Sequence, residues 1–199
     1  MPFLAIVIPT IPAEHKADVL ADWPSRKAEL KAQPGVLDVL AGPILIEDGV
    51  PPTDFKFFQG IVFKSAEDAD AFENSSWAKE RKAKFQARGG PEPFVARFEV
   101  SEPPAGGSPK PITQFSVLEI ADTSKHAQAR DAFENLAKAA GIEAAGGVSA
   151  GDGQKAGLGV TGWNTLEEAK AARDDPKFAA AIAALESLGK THNIFVQIQ

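Results

Sequence analysis

Cysteine is absent from the 199 residues, so disulfides, thiolate metal sites and a cysteine nucleophile are excluded. Histidine occurs three times, at 15, 126 and 192, too widely spaced to suggest a zinc cluster. No metal site is expected. No apolar run approaches membrane-spanning length, so no membrane partner is expected. The apolar start, Met1–Thr10, lacks a basic leader and a cleavage site and reads as a strand rather than a signal peptide. A cytoplasmic location is the expectation. Basic stretches interleaved with aromatics are also missing, and the formal net charge is −6, which argues against a nucleic-acid partner. What remains is a soluble composition with 44% hydrophobic residues, enough to build one domain or two small ones.

The densest feature present is Phe55–Phe63, FKFFQGIVF. Strand side chains alternate between two faces. Phe55, Phe57, Ile61 and Phe63 share one face, and Phe58 and Val62 share the other, so this strand is covered on both sides. Ser65 follows as a helix N-cap, and Glu67, Asp68 and Asp70 put acids in the first turn, where the helix dipole favours them. About 100 residues later the pattern returns: Gly159–Trp163 reads as a strand, Thr165 as a cap, and Glu167 and Glu168 as the acidic first turn. The chain reads as two diverged copies of one unit.

In order, the first copy predicts a strand at Phe3–Pro9 and a helix over Ala13–Gln33. Pro24 suggests a break near Asp22-Trp23-Pro24, with Asp22 capping the second piece. A strand over Val36–Ile46 contains Gly42-Pro43, which suggests a bulge or an edge position. The aromatic strand and its helix follow, and Phe94–Val100 closes the copy. The Pro- and Gly-rich segment 101–111 reads as a linker. The second copy predicts a strand at Thr113–Ile120, a helix at Ser124–Ala140 capped by Gly141, a strand at Ile142–Val148, a turn at Gly151-Asp152-Gly153, a strand at Ala156–Trp163, a helix over Leu166–Leu188 and a last strand at Ile194–Ile198.

Each copy, 1–100 and 112–199, is therefore β-α-β-β-α-β, a ferredoxin-like unit in an α+β chain. Its helices cover one sheet face and leave the other apolar. Pairing the two sheets of one chain removes that exposure. The expected fold is one closed α/β barrel with pseudo-twofold symmetry, working as a monomer.

This arrangement resembles the dimeric α/β-barrel superfamily, and within it the antibiotic-biosynthesis monooxygenase group, over almost the whole chain. The matching feature is the broken second helix: Asn74-Ser75-Ser76-Trp77, with Ser75 as a second cap, and Asp174-Asp175-Pro176-Lys177-Phe178, with Asp175 as cap and Pro176 opening the next piece. The resemblance implies a pocket between helices and sheet shaped by an Asn, a Trp and a Tyr. Asn74 and Trp77 match the first two by position. Tyrosine is absent, so the phenolic member has no counterpart.

Eleven Phe and Trp residues lie in the first copy and five in the second, which places the pocket in the first. Trp77, Arg81 and Phe85 form one helical stripe, with Arg81 where the second copy has Ile182. Asn74, Trp77 and Arg81 are the candidate catalytic residues. Phe57, Phe63, Phe72, Phe85, Arg97 and His192 are the candidate substrate contacts. Structural readings stand beside these: Arg81 laid over Trp77 with its head in water, Asn74 as a helix C-cap, Trp77 as core, and His192 in a loop. Arg97 and Glu99 share a strand face that lines either the barrel interior or an exposed edge. His15 and His126, each at the start of a first helix, offer acid–base chemistry or a solvated helix end.

The resemblance implies a small-molecule enzyme of secondary metabolism. It would act on a planar aromatic or polyketide-like compound with no tightly bound cofactor, by oxygenase, cyclase or isomerase chemistry. Two alternatives stand: a haem-binding or haem-degrading barrel, and a non-catalytic stress-related or ligand-binding barrel.

Overall fold

The computed structural model describes residues 1–100, 110–120, 122–142, 144–151 and 155–199. The expected linker falls mostly outside these residues, as does most of the turn at Gly151-Asp152-Gly153.

Alternating apolar residues set the strands. The first half runs β1 (Phe3–Ile8), a two-residue β2 (Thr10–Ile11), α1 (Lys16–Lys31), β3 (Val36–Glu47), β4 (Phe55–Phe63), α2 (Ala66–Asn74), α3 (Ser76–Gln86) and β5 (Phe94–Val100). The second runs β6 (Ile112–Glu119), α4 (His126–Ala140), β7 (Ala144–Ser149), β8 (Ala156–Trp163), α5 (Leu166–Asp174), α6 (Pro176–Glu186) and β9 (Lys190–Gln197). Within the halves the strands lie β5-β1-β4-β3 and β7-β8-β6-β9. The halves join edge to edge at β5·β7 and β3·β9, and the β1·β4 pairing completes a closed antiparallel barrel of eight strands. The fold is a ferredoxin-like α/β barrel made by one chain.

The barrel interior is filled by both halves: Leu4, Phe58, Val62 and Phe98 meet Phe115, Leu158, Val160 and Val196. The rings of Phe58 and Phe115 have centroids 4.1 Å apart. The opposite faces of β1, β3 and β4 carry Phe3, Val39, Phe57, Ile61 and Phe63 against Val19, Trp23 and Leu30 of α1. Any hollow therefore lies between sheet and helices, outside the packed barrel.

Several expectations need correction. Helix α1 runs unbroken through Pro24. Pro24 is exposed, so solvent can satisfy the carbonyl one turn earlier that loses its donor, while Val19, Trp23 and Leu30 hold the axis. Asp22 pairs with Arg26 at 3.3 Å instead of capping a new helix. Strand β3 is not an edge, and its irregularities lie at Val36/Asp38 and Ile44/Ile46, on either side of Gly42-Pro43. Strand β9 begins at Lys190, so His192 is in a strand. Arg97 and Glu99 face neither the interior nor a free edge: β5 pairs on both sides, and Ala96, Phe98 and Val100 take the interior positions.

Candidate functional site

A cavity of about 390 Å3 lies in the first half, between the outer face of β1, β4 and β5 and helices α1–α3. Strand alternation sends Phe57, Ile61 and Phe63 to this face, with Ala5, Val7 and Val95 beside them. The roof is positioned by two serine caps. Ser65 accepts from the Asp68 N–H at 3.2 Å and starts α2, and Ser75 accepts from the Ala78 N–H at 3.1 Å and starts α3. Ser75 itself is extended, which bends the chain between the two helices and aims α3 across the cavity.

The break brings an aromatic wall together. Phe63 and Phe72 have centroids 5.3 Å apart, and Phe72 and Trp77 5.7 Å. The Arg81 guanidinium lies 5.2 Å from the Trp77 ring centre and donates to Glu29. Arg97 sits 5.1 Å from the Phe3 ring, donates to Asp70, and lies 3.8 Å from Glu73. Phe57, Phe63, Phe72, Trp77, Arg81, Phe85 and Arg97 all line this one cavity.

Two expected site residues stand elsewhere. Asn74 ends α2 exposed, and its Nδ2 donates to the Asp70 carbonyl at 2.9 Å; Ser75 holds the C-cap position. His192 lies outside the cavities described here, with Nδ1 3.1 Å from Asp48 and Nε2 3.6 Å from Glu119. Burial pulls the Asp48 carboxyl up, but the Asn193 N–H and His192 outweigh it and hold it below the ordinary value of 3.8.

Two lining residues, Trp23 and Gln59, escaped the sequence reading. Trp23 is 3% exposed, stacks edge-on against Phe57 at 4.9 Å, and its indole Nε1 is buried without a hydrogen-bond partner. Buried donors are rarely left unpaired, and Trp23 is among the residues that line the cavity. Gln59 lies on the floor, and His15 also lines the cavity. The i, i+4 spacing of Val19 and Trp23 was a readable signal, obscured by the break expected at Pro24. Seven Lys or Arg line the cavity against Glu73 and Glu92, but Arg26, Arg81, Lys82, Lys84 and Arg97 are ion-paired, with Asp22, Glu29, Glu92, Glu80 and Asp70 in turn. Lys79 and Arg88 have no ion-pair partner among the described residues.

A smaller cavity of about 130 Å3 occupies the corresponding place in the second half. Gly159 leaves room for the Phe133 ring, which a Cβ there would meet at 2.3 Å. Among the described residues no group of histidine and carboxylate side chains could hold a metal ion, and no helix is long and apolar enough to cross a membrane.

No family model matches the sequence, and no curated protein is similar to it. Solved structures are similar. One is a proposed monooxygenase from Fusobacterium nucleatum, with a TM-score of 0.70 at 8% identity over 99% of this chain and 92% of that one. Another is an anthrone oxidase-like protein, at 0.67 and 16% over 100% and 91%. A third is a chlorite dismutase from Candidatus Nitrospira defluvii, at 0.55 and 11% over 100% and 90%. Identities this low establish the fold and leave the chemistry to the site. The chain has the fold of the dimeric α/β barrels, with both halves of the barrel on one polypeptide.

Proposed function

We propose that the larger cavity binds a planar aromatic, polyketide-like compound and that the protein oxidises it with dioxygen, without a tightly bound cofactor. The observation that carries this is an aromatic-walled hollow of ligand size with two cations on its lining, Lys79 and Arg88, that no acid among the described residues pairs. Such a lining favours an enolate or phenolate over a neutral hydrocarbon. The likeness to an anthrone oxidase-like protein makes an anthrone the first compound to test.

In the proposed reaction anthrone and dioxygen give anthraquinone and water. The ring methylene loses both hydrogens and gains one oxygen atom, and the second oxygen leaves as water. His15 takes the first proton, Arg81 and Arg97 stabilise the enolate charge, and the Trp23 N–H donates to the carbonyl oxygen. Trp77, Phe63 and Phe72 hold the ring plane. Asn74 has no part in this version, because its amide is engaged on its own helix.

Oxygen uptake with anthrone tests it. The proposal expects protein-dependent consumption with matching anthraquinone formation. Anthrone that stabilises the protein without oxygen uptake would support the non-catalytic binding barrel instead. Anthrone that neither binds nor reacts contradicts both.

Haem is a second reading, because His15 offers an imidazole to the larger cavity. Tyrosine and cysteine are absent from the chain and its one methionine is Met1, so His15 stands alone there as an axial-ligand candidate. A haemin titration that gives a Soret shift abolished by His15→Ala favours haem. No shift leaves the cofactor-free reading.

The proposal treats 1–100 and 112–199 as two copies joined by 101–111, acting as a cytoplasmic monomer in secondary metabolism. Matching element order and strand register in the two halves support the duplication.

A further inference from the structure

The strand registers of the two halves superimpose residue by residue. Phe3 faces Phe63 as Ile112 faces Trp163, Ala5 faces Ile61 as Gln114 faces Thr161, and Val7 faces Val95 as Ser116 faces Asn193. The floor beneath the larger cavity is apolar at all five positions Ala5, Val7, Ile61, Phe63 and Val95. Beneath the smaller cavity the same positions carry Gln114, Ser116, Thr161, Trp163 and Asn193.

These five side chains form one network. Gln114 Oε1 accepts from Trp163 Nε1 at 3.3 Å and from Thr161 Oγ1 at 3.5 Å. Gln114 Nε2 donates to Ser116 Oγ at 3.0 Å and to Asn193 Oδ1 at 3.2 Å, and Ser116 Oγ donates to the same Oδ1 at 2.7 Å. With Oδ1 accepting twice, Asn193 keeps its Nδ2 protons for another acceptor. Beside it Thr191 Oγ1 is buried without a partner and lines the same cavity. A polar floor under apolar helices costs stability unless something uses its remaining donors.

We propose that the second half holds a separate ligand site, chemically distinct from the first, that takes a neutral planar carbonyl compound. The carbonyl oxygen accepts from Asn193 Nδ2 and Thr191 Oγ1, and the ring packs on Phe133 and Ile182. The cavity has room for about ten non-hydrogen atoms. The two charged side chains lining it, Arg173 and Glu186, balance, so no net field selects an ion. The cationic lining of the first cavity makes the opposite choice.

The chain's three tryptophans give the test its readout, since Trp163 reports the second cavity and Trp23 and Trp77 the first. Full-length nitrogen-15-labelled protein is titrated with benzamide and, separately, with isopropylbenzene, which has the same shape and no carbonyl. The indole signals are assigned with single Trp→Phe variants. The proposal expects a saturable benzamide shift of the Trp163 indole and the Gln114 and Asn193 amides, with weaker binding of isopropylbenzene. Asn193→Val, which installs the first-half residue, should weaken benzamide about tenfold, the loss of one good hydrogen bond. Thr191→Val, close in shape, should weaken it as well and serves if Asn193→Val does not fold. Shifts confined to Trp23 and Trp77, no saturable shift, equal binding of isopropylbenzene, or unchanged affinity in a folded variant each overturn the proposal. None of these outcomes bears on whether anthrone is oxidised in the first half.

Discussion

Gly42 lies so close to Gln197 that a Cβ on it would fall 1.8 Å from the Gln197 carbonyl oxygen. The same relationship recurs at the other seam, where a Cβ on Gly147 would fall 2.6 Å from the Glu99 carbonyl oxygen. Gly42 pairs with Phe58 as Gly147 pairs with Leu158, so the two glycines occupy one register position in the two halves. Each lets the edge of its own half approach the last strand of the other.

A methyl group at either glycine must therefore push the seam apart. Gly42→Ala is expected to cost at least about 2 kcal/mol, a Tm drop of about 5 °C, and Gly147→Ala less, following the two distances. Thermal unfolding checks both. Equal stability of all three proteins would show that the barrel does not depend on this closeness.

Trp23 supplies a second prediction. Trp23→Phe keeps the ring against Phe57 and removes the orphaned N–H. Binding of anthrone should weaken about tenfold, while anthracene, which has no carbonyl, should bind as before. Isothermal titration of the two compounds distinguishes loss of the hydrogen bond from loss of packing, which would weaken both.

The Arg81 side chain is 41% exposed and its partner Glu29 42%, so their ion pair adds little stability. Arg81→Gln should shift the Tm by less than about 3 °C. It should nevertheless weaken binding of anionic aromatics and make what remains less sensitive to salt. A large stability loss with unchanged salt dependence would mean that Arg81 is structural.

Asp48 fixes a pH dependence. Its backbone N–H donates to the Asn193 carbonyl at 2.8 Å, and its Oδ1 accepts from the Asn193 N–H at 2.8 Å. Its folded-state pKa is lowered, so its contribution to stability is complete above the unfolded value, near 4, and fades as pH falls through the lower folded value. Asp48→Asn should be less stable than the parent at neutral pH and close to it at pH values below that window. A stability gap that stays constant down to strong acid would contradict this assignment.

Much of the fold was legible because local signals agreed. Ser65 and Ser75 announced their helices, the alternation across Phe55–Phe63 showed two buried faces, and the recurrence of Trp163, Thr165 and Glu168 gave the second half its register. The seams were not legible: Gly42 and Gly147 matter through carbonyls contributed by Gln197 and Glu99, residues far away in sequence. The aromatic side of the larger cavity could be read because Trp77, Arg81 and Phe85 share one helix face. The polar floor of the smaller cavity could not, because Gln114, Ser116, Thr161 and Asn193 sit on three strands and each looks like an ordinary surface residue alone. Asn74 misled because its place beside a helix break says nothing about which way its amide turns.

Where the ligand sits is decided by a crystal structure of the protein soaked with anthrone without oxygen. The tricyclic ring is expected against the wall of Phe63, Phe72 and Trp77, with its carbonyl oxygen within hydrogen-bond distance of Trp23 Nε1. Anthrone found only in the second half, or only on the outer surface with the larger cavity left empty, would contradict that placement.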